Sequence, residues 1–265
     1  MTKDKVKAVV VSKECLMDDI FSLTIKVGEN ISKAVPGQFI DLYSNDKSRM
    51  LPRPISICDV DSEKEEMRIV FRTVGAGTSE FSTYEKGDTV EIVGPLGNGY
   101  DIKDADKDKV HVLLGGGIGI PPMLYLAKKL NEAGVPKDNI KTVIGFRDKN
   151  TFLVEDLEKY SQVFITSDNG EIGIKGNVID GLREYNIKPD VIYACGPTPM
   201  LKGISAYAAE NSVTAYISLE ERMACGIGAC LACVCKSSDV DGHSKVKNKR
   251  ICKDGPVFLS EEVEL

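Results

Sequence analysis

The stretch LLGGGIGIPPM, residues 113–123, decides how the middle of this 265-residue chain folds. It continues the apolar run KVHVLLGG, which is typical of a short buried strand, and it leads into PPMLYLAKKLNEAG, which has helical spacing. Its glycines permit a tight turn and let the backbone approach a phosphate at a helix N-terminus. Those glycines are Gly115, Gly116, Gly117 and Gly119. The third glycine of the usual dinucleotide motif is absent, so a plain strand–helix turn is an equally good interpretation of this motif alone.

Strands and helices alternate beyond this motif. IKTVIGFR, SQVFITS and DVIYACG have the composition of buried strands, and NVIDGLREYN has that of a helix between them. This alternation predicts a doubly wound parallel sheet, α/β in class, over residues 101–220. Ligands of such sheets bind at the carboxyl ends of the strands. We therefore expect Cys195, Gly196 and Pro197 of YACGPTPM to contact a nucleotide, although a buried inert thiol is the alternative for Cys195.

Residues 1–100 have a different pattern. Short alternating or β-branched runs such as GQFIDLYS, MRIVFRTV and DTVEIVGPLG are separated by glycines, without a long helical period. The pattern predicts a small antiparallel β barrel. RPISI, residues 53–57, lies in this segment, and an arginine suits a phosphate. By chemistry alone, Arg53 could equally be a solvated charge and Ser56 a turn residue.

The composition limits the classes of function. With 42% hydrophobic and 28% charged residues, the chain has the make-up of a globular protein. Its net charge of −6, without a long basic run, argues against nucleic-acid binding. Glycines and prolines break the most apolar stretch, which argues against a membrane span, and the N-terminal residues lack the features of a signal peptide. We therefore expect a cytoplasmic protein with reduced thiols.

MACGIGACLACVC, residues 223–235, holds four of the eight cysteines. Cys225, Cys230 and Cys233 form C-x4-C-x2-C, and Cys252 follows after 18 intervening residues, which is the plant-type [2Fe–2S] ligand spacing. Zinc is the main alternative, although four-cysteine zinc sites more often pair two C-x2-C motifs. Spacing alone does not exclude Cys235 as a ligand. We expect residues 221–265 to form a small domain held together by this centre.

Five motifs resemble the ferredoxin reductase superfamily, in which a flavin barrel precedes a nicotinamide-binding domain. PGQF, RPISI, FRTVGAGT, GGGIGIPPM and CGPTPM occur in that family's order between residues 36 and 200. The resemblance implies a bound FAD, with Arg53 toward its phosphate and Ser56 near its ring. Ile55 replaces the tyrosine that many members have. The flavin residues that the resemblance implies are Arg53, Pro54, Ile55, Ser56, Val70, Phe71, Arg72, Gly77 and Thr78.

The whole arrangement, with ERMACGIGAC and RICKDGPVF near its end, resembles the electron-transfer subunits of B-type, NAD-dependent dihydroorotate dehydrogenases. This resemblance covers essentially the whole chain. It implies FAD, NAD and a [2Fe–2S] cluster on the four cysteines of the plant-type spacing, with Cys235 outside the ligand set. It also implies an FMN-containing catalytic subunit as partner, in a two-plus-two heterotetramer that acts in pyrimidine synthesis. Electrons would pass from the partner's FMN to the cluster, then to FAD and NAD⁺, because a flavin handles both one- and two-electron steps.

Two further features concern the chemistry. Neither histidine, His111 or His243, has a catalytic context, and we find no general base that could deprotonate dihydroorotate. This fits a subunit that only transfers electrons. Asp168 and Glu171, in TSDNGEIG, would repel the 2′-phosphate of NADP, although a solvated acidic turn is the alternative.

Two rival functions remain. One is another reductase of the superfamily, either the small subunit of a bifurcating NADH-dependent ferredoxin:NADP oxidoreductase or the flavin subunit of a sulfhydrogenase. The small bifurcating subunits tend to have an aspartate as first cluster ligand, where this chain has Cys225. The other rival is a flavin-free protein whose zinc module binds a partner, which would leave RPISI and GGGIGIPPM unexplained together.

Overall fold

The computed structural model describes residues 5–28, 31, 33–103, 105–240 and 245–265. Its N-terminal part contains six strands and one short helix: β1 (Lys5–Met17), β2 (Ile20–Lys26), β3 (Phe39–Tyr43), β4 (Arg53–Asp61), β5 (Glu66–Arg72), α1 (Ala76–Phe81) and β6 (Thr89–Leu96). The strands close into a barrel in the order β1-β2-β5-β4-β3-β6, and each neighbouring pair is antiparallel. The predicted antiparallel barrel is confirmed.

The two faces of β3 have different surroundings. Ile40 and Leu42 belong to the apolar core of the barrel, whereas Phe39 belongs to a second core that also contains residues of the C-terminal segment. Side chains alternate between the faces of a strand, so Phe39, Asp41 and Tyr43 share the outer face. This outer face therefore meets the cysteine-rich segment.

The next part alternates strands and helices, as predicted: β7 (His111–Gly116), α2 (Pro121–Glu132), β8 (Ile140–Phe146), α3 (Val154–Glu158), β9 (Gln162–Ser167), β10 (Ile174–Lys175), α4 (Val178–Glu184), β11 (Val191–Cys195), α5 (Thr198–Asn211) and β12 (Thr214–Ser218). These strands form a parallel sheet in the order β10-β9-β8-β7-β11-β12. Among the residues that the structure describes, no helix has the length and apolarity that crossing a membrane requires.

The C-terminal segment contains four short strands and a helical turn: β13 (Val234–Ser237), β14 (Asn248–Arg250), α6 (Ile251–Asp254), β15 (Val257–Leu259) and β16 (Val263–Glu264). β14, β13 and β16 form a small antiparallel sheet. β15 instead pairs antiparallel with β12 and becomes the seventh strand of the large sheet. The parallel sheet thus carries an antiparallel edge strand that the sequence did not reveal.

Buried polar contacts fix the barrel against the large sheet. The Tyr125 side chain of α2 is buried in the barrel core, and its hydroxyl donates to the Ala34 carbonyl at 2.8 Å. The Tyr100 hydroxyl donates to the Ala194 carbonyl on β11 at 3.0 Å. These contacts hold the barrel and the carboxyl edge of the sheet in one arrangement, and that arrangement shapes the cleft between them.

Candidate functional site

The glycine turn and the CGP motif lie side by side at the carboxyl edge of the sheet. β7 and β11 are neighbours, and Gly115 is in register with Cys195. A Cβ atom on Gly119 would lie 2.3 Å from the Cys195 carbonyl oxygen, and one on Gly116 would lie 2.6 Å from the Met200 Sδ. Only glycine therefore allows the turn to pack this closely against the end of β11.

A cleft of about 620 Å³ separates this edge from the barrel. Asp19 and Arg72 of the barrel line it, and the Arg72 Nε lies 3.0 Å from the Asp19 carboxylate. On the sheet side its walls include Gly116, Gly117 and Pro197. The structure thus brings one predicted flavin residue and three predicted nucleotide residues to the same cleft.

A second group of predicted flavin residues lies on β4 and at the start of α1. The Arg53 guanidinium packs directly against Gly77, where a Cβ atom would lie 2.3 Å from the Arg53 Nε. The Thr78 hydroxyl accepts hydrogen bonds from the backbone N–H groups of Val74 and Gly75, at 2.9 and 3.2 Å. These contacts fix the turn before α1 beside Arg53, as a shared phosphate site would require. Pro54, Ile55 and Ser56 follow on β4 and are half-buried.

Val70 and Phe71 of β5 are core residues. Phe71 is 1% exposed and packs against the rings of Phe21 and Phe81. Val70 is 3% exposed. Their side chains are therefore packed within the protein and do not line the cleft.

Cys195 is buried at the end of β11. Burial raises the pKa of its thiol well above the ordinary value, the nearby Glu220 carboxylate raises it further, and a hydrogen bond with Ser218 opposes both effects. Sequence analysis missed Glu220, although its place two residues after the end of β12, the strand beside β11, is the signal that could have marked it.

The four predicted cluster ligands form two pairs. The backbone N–H of Cys230 donates to the Cys225 Sγ at 3.4 Å, and that of Cys252 donates to the Cys233 Sγ at 3.4 Å. The thiols within each pair also interact directly. Within the described residues, no three His, Cys, Asp or Glu side chains converge as ligands of one metal ion. Two pairs of thiolates fit a dinuclear centre with two thiolates on each iron.

Backbone N–H groups surround these sulfurs. Burial opposes ionisation of Cys225, but the N–H groups of Ile227, Cys230 and Ala229 outweigh burial and lower the pKa of its thiol to about 6. The Gly228 N–H donates to the Cys252 Sγ at 3.1 Å. Such donors stabilise the thiolate form that binds metal, so the loop has the donor set that an iron–sulfur centre needs.

Cys235 has a different environment. It lies on β13 opposite Lys249, and its thiol donates to the Lys249 carbonyl at 3.6 Å. It joins neither pair, and burial raises the pKa of its thiol. This contact supports the prediction that Cys235 is not a ligand.

The remaining candidates are the acidic residues expected to select NAD over NADP and the two histidines. Asp168 lines the cleft, whereas Glu171 accepts a hydrogen bond from the Lys149 backbone N–H at 3.4 Å. His111 is buried, with its ring nitrogens 3.3 Å from the Tyr193 hydroxyl and 2.8 Å from the Asp106 carbonyl. It is a core histidine, while His243 lies outside the described residues.

Comparisons with known proteins identify the family. Residues 220–264 match the iron–sulfur cluster binding domain of dihydroorotate dehydrogenase B. The chain is 42% identical over 257 residues to the dihydroorotate dehydrogenase B (NAD⁺) electron transfer subunit of Streptococcus pneumoniae, which covers 97% of each chain. The chain belongs to this family of electron transfer subunits. The corresponding subunit of Listeria monocytogenes is 41% identical, again over 97% of each chain.

Solved structures place this electron transfer subunit among the reductases. The NADH-dependent reduced ferredoxin–NADP oxidoreductase, a structure described for flavin-based electron bifurcation, superposes with a TM-score of 0.83 and 32% identity over 97% of this chain and 89% of the other. The ferredoxin reductase of carbazole 1,9a-dioxygenase has a TM-score of 0.67 and 18% identity over 79% of this chain and 66% of the other. This second likeness shows the fold alone, and the barrel-plus-sheet architecture agrees with both structures.

We predict that single Cys225→Ser, Cys230→Ser, Cys233→Ser and Cys252→Ser variants each lose most of the EPR signal of the reduced cluster, measured per bound flavin. The reason is that each variant removes one of four thiolate ligands. Cys235→Ser is the matched control, because it makes the same change on a thiol that joins neither pair, and its signal should be unchanged. A normal signal in Cys252→Ser together with loss in Cys235→Ser would show that the ligand set is wrong.

Proposed function

We propose that this chain is the electron-transfer partner of an FMN-containing dihydroorotate dehydrogenase catalytic subunit. It takes electrons from that subunit's FMN and passes them through a [2Fe–2S] cluster and FAD to NAD⁺, in the oxidation of dihydroorotate to orotate during pyrimidine synthesis. Two cysteine pairs with plant-type spacing stand beside a reductase fold, in a chain 42% identical to such a subunit over 97% of its length, and this combination supports the proposal.

The proposed flavin site lies on the barrel. FAD would be held by the β4 residues 53–56, the main chain of residues 70 and 71, and Arg72, Gly77 and Thr78. Arg53 and the turn before α1 are packed together, and the Arg53 guanidinium suits a phosphate. When bound, FAD supplies the conversion between single electrons and hydride.

The proposed nicotinamide site is the sheet side of the cleft. The glycine turn of residues 115–119 lets a dinucleotide approach the start of α2, and residues 195–197 border the same edge. Arg72 reaches this cleft from the barrel, so the flavin and nicotinamide residues meet there. This arrangement suits hydride transfer between a flavin and a nicotinamide ring, which requires the two rings to be in contact.

We place the docking site of the catalytic subunit at residues 225–233, which we call the cysteine loop. Cys230 is exposed, and the apolar residues Ile227 and Leu231, close to it in sequence, are 41% and 51% exposed. Apolar residues beside an exposed cluster ligand suit a partner that must bring its own redox centre close. We propose that two copies of each subunit assemble into a heterotetramer.

We assign the carbon chemistry to the partner subunit. Proton removal from dihydroorotate needs a base within hydrogen-bond reach of the substrate. His111 is buried and held by Tyr193 and Asp106. The described residues thus offer no histidine for this step.

The second candidate is an NAD(P)H reductase subunit of a bifurcating ferredoxin:NADP oxidoreductase or of a sulfhydrogenase. The fold similarity to the bifurcating oxidoreductase, with a TM-score of 0.83, favours it. The sequence identity is 32% to that protein and 42% to the Streptococcus pneumoniae dihydroorotate dehydrogenase subunit. The higher identity favours the dihydroorotate function.

We expect the chain to prefer NADH over NADPH, because the Asp168 carboxylate in the cleft would repel the 2′-phosphate. In a dye-reduction assay, Asp168→Ala should lower the ratio of kcat/KM for NADH to kcat/KM for NADPH by about fivefold. This is the change expected for the loss of one like-charge contact of about 1 kcal/mol. The neighbouring Asn169→Asp variant adds a negative charge and should raise this NADH-to-NADPH ratio. Equal kcat/KM for both nucleotides in the unmodified protein would contradict the assignment.

We further expect that the chain alone reduces dyes with NADH but forms no orotate from dihydroorotate. Mixing it with the FMN subunit should start orotate formation with NAD⁺ as sole acceptor, because each subunit supplies one half of the reaction. Ile227→Glu should weaken this coupled activity at least tenfold, by placing a charge in the proposed interface, and should leave NADH–dye activity unchanged.

The control for that variant is Val9→Glu, which places the same charge on an exposed barrel residue and should leave the coupled activity intact. Orotate formation by this chain alone would refute the electron-transfer assignment. Failure of the mixture, when both flavins and the cluster are confirmed, would favour the bifurcating or sulfhydrogenase function.

A further inference from the structure

A buried carboxylate without a partner lies on the outer face of β3. Asp41 is 0% exposed, and neither of its carboxylate oxygens has a hydrogen-bond partner among the described residues. Its neighbours across the strands are Pro54 of β4 and Val93 of β6, which have no polar side-chain atoms. A buried carboxylate of this kind is costly, and burial raises the pKa of Asp41 to about 6.

The carboxylate lies directly against the cysteine loop. A Cβ atom on Gly226 would lie 2.0 Å from the Asp41 Oδ2, and Gly226 has a φ of +62°. Any other residue at position 226 would therefore be both strained and in collision with Asp41. Gly226 directly follows Cys225, the first predicted cluster ligand, so Asp41 is the acidic group that the barrel presents to that end of the loop.

The lysine beside Tyr43 does not pair with Asp41. Burial raises the pKa of the Tyr43 hydroxyl, and the negative charges of Asp41 and Cys225 raise it further, so both charges act on the same hydroxyl. Lys5 lies 3.9 Å from the centre of the Tyr43 ring, but its Nζ forms an ion pair with Glu91 at 3.0 Å. Lys5 thus already has a carboxylate partner of its own.

We propose that Asp41 sets the reduction potential of the iron–sulfur cluster, an inference that rests on the proposed function. The potential of such a cluster depends on the charges around it, and a charge buried in protein acts more strongly than one in water. A fixed negative charge against the ligand loop opposes the arrival of an electron and so lowers the potential. A lower potential favours onward transfer of the electron to FAD and NAD⁺.

The test compares cluster midpoint potentials by EPR-monitored redox titration of the full chain, loaded with FAD and cluster, at pH 8. Asp41→Asn removes the charge with almost no change of shape, and Asp41→Ser removes it with a smaller side chain. Both variants should shift the midpoint to a higher potential, and both should show a larger reduced fraction of cluster at a fixed NADH/NAD⁺ ratio.

Asp61→Asn is the matched control. Asp61 lies at the other end of β4, and the Asn side-chain oxygen can still accept the backbone hydrogen bonds from Glu63 and Lys64. This variant should keep the original midpoint.

Unchanged midpoints in both Asp41 variants, with normal EPR signals, would overturn the inference. Loss of the cluster from both variants would also overturn it, because Asp41 would then be a structural residue. Absence of FAD and of any cluster signal in the unmodified protein would instead contradict the proposed function.

Discussion

The packing of the cysteine loop against the barrel is the contact on which the rest of this structure depends. Cys233 and Cys252 share one apolar core with Phe39 and Leu96 of the barrel and with Phe258 of the large sheet. A segment as short as residues 221–265 has little core of its own, and it gains one from its two larger neighbours. The same packing holds the predicted cluster ligands against the wall of the flavin barrel, where electron transfer to a flavin needs them.

Close backbone approach is the second constraint, and it explains the positions of several glycines. Gly119 lies against the Cys195 carbonyl, Gly77 against the Arg53 guanidinium, and Gly226 against the Asp41 carboxylate. Each contact lies at one of the proposed sites, for nicotinamide, flavin phosphate and cluster respectively. A side chain at any of these positions would separate groups that the proposed chemistry needs in contact.

Much of the fold could be predicted from the sequence, because long elements with clear periodicity carry their own signal. β7, α2, β8, β9 and β11 lie within the runs that the sequence indicated as buried strands and as a helix. β15 is a three-residue strand, too short for periodicity, and its pairing with β12 depends on contacts between distant parts of the chain. The cysteine spacing likewise predicted the ligand types, but their sorting into two pairs required the loop conformation.

Some features of the site could likewise be predicted from sequence motifs, whereas others depend on packing. A motif indicates which residues surround a ligand but not whether their side chains or their main chain face it, so the burial of Phe71 could not be predicted. Asp41 lies in the run GQFIDLYS, where an alternating strand gives no sign that both faces are covered. Its isolation follows from the packing of the cysteine loop on that face. Glu220 was missed because a single acidic residue after a strand carries no pattern of its own.

We conclude that one chain carries both a flavin and a [2Fe–2S] cluster. The most direct measurement is the content of FAD, iron, acid-labile sulfide and zinc in the anaerobically purified protein. We expect roughly one FAD, two irons and two sulfides per chain, as the plant-type spacing and the flavin motifs require. Stoichiometric zinc without labile sulfide would contradict it.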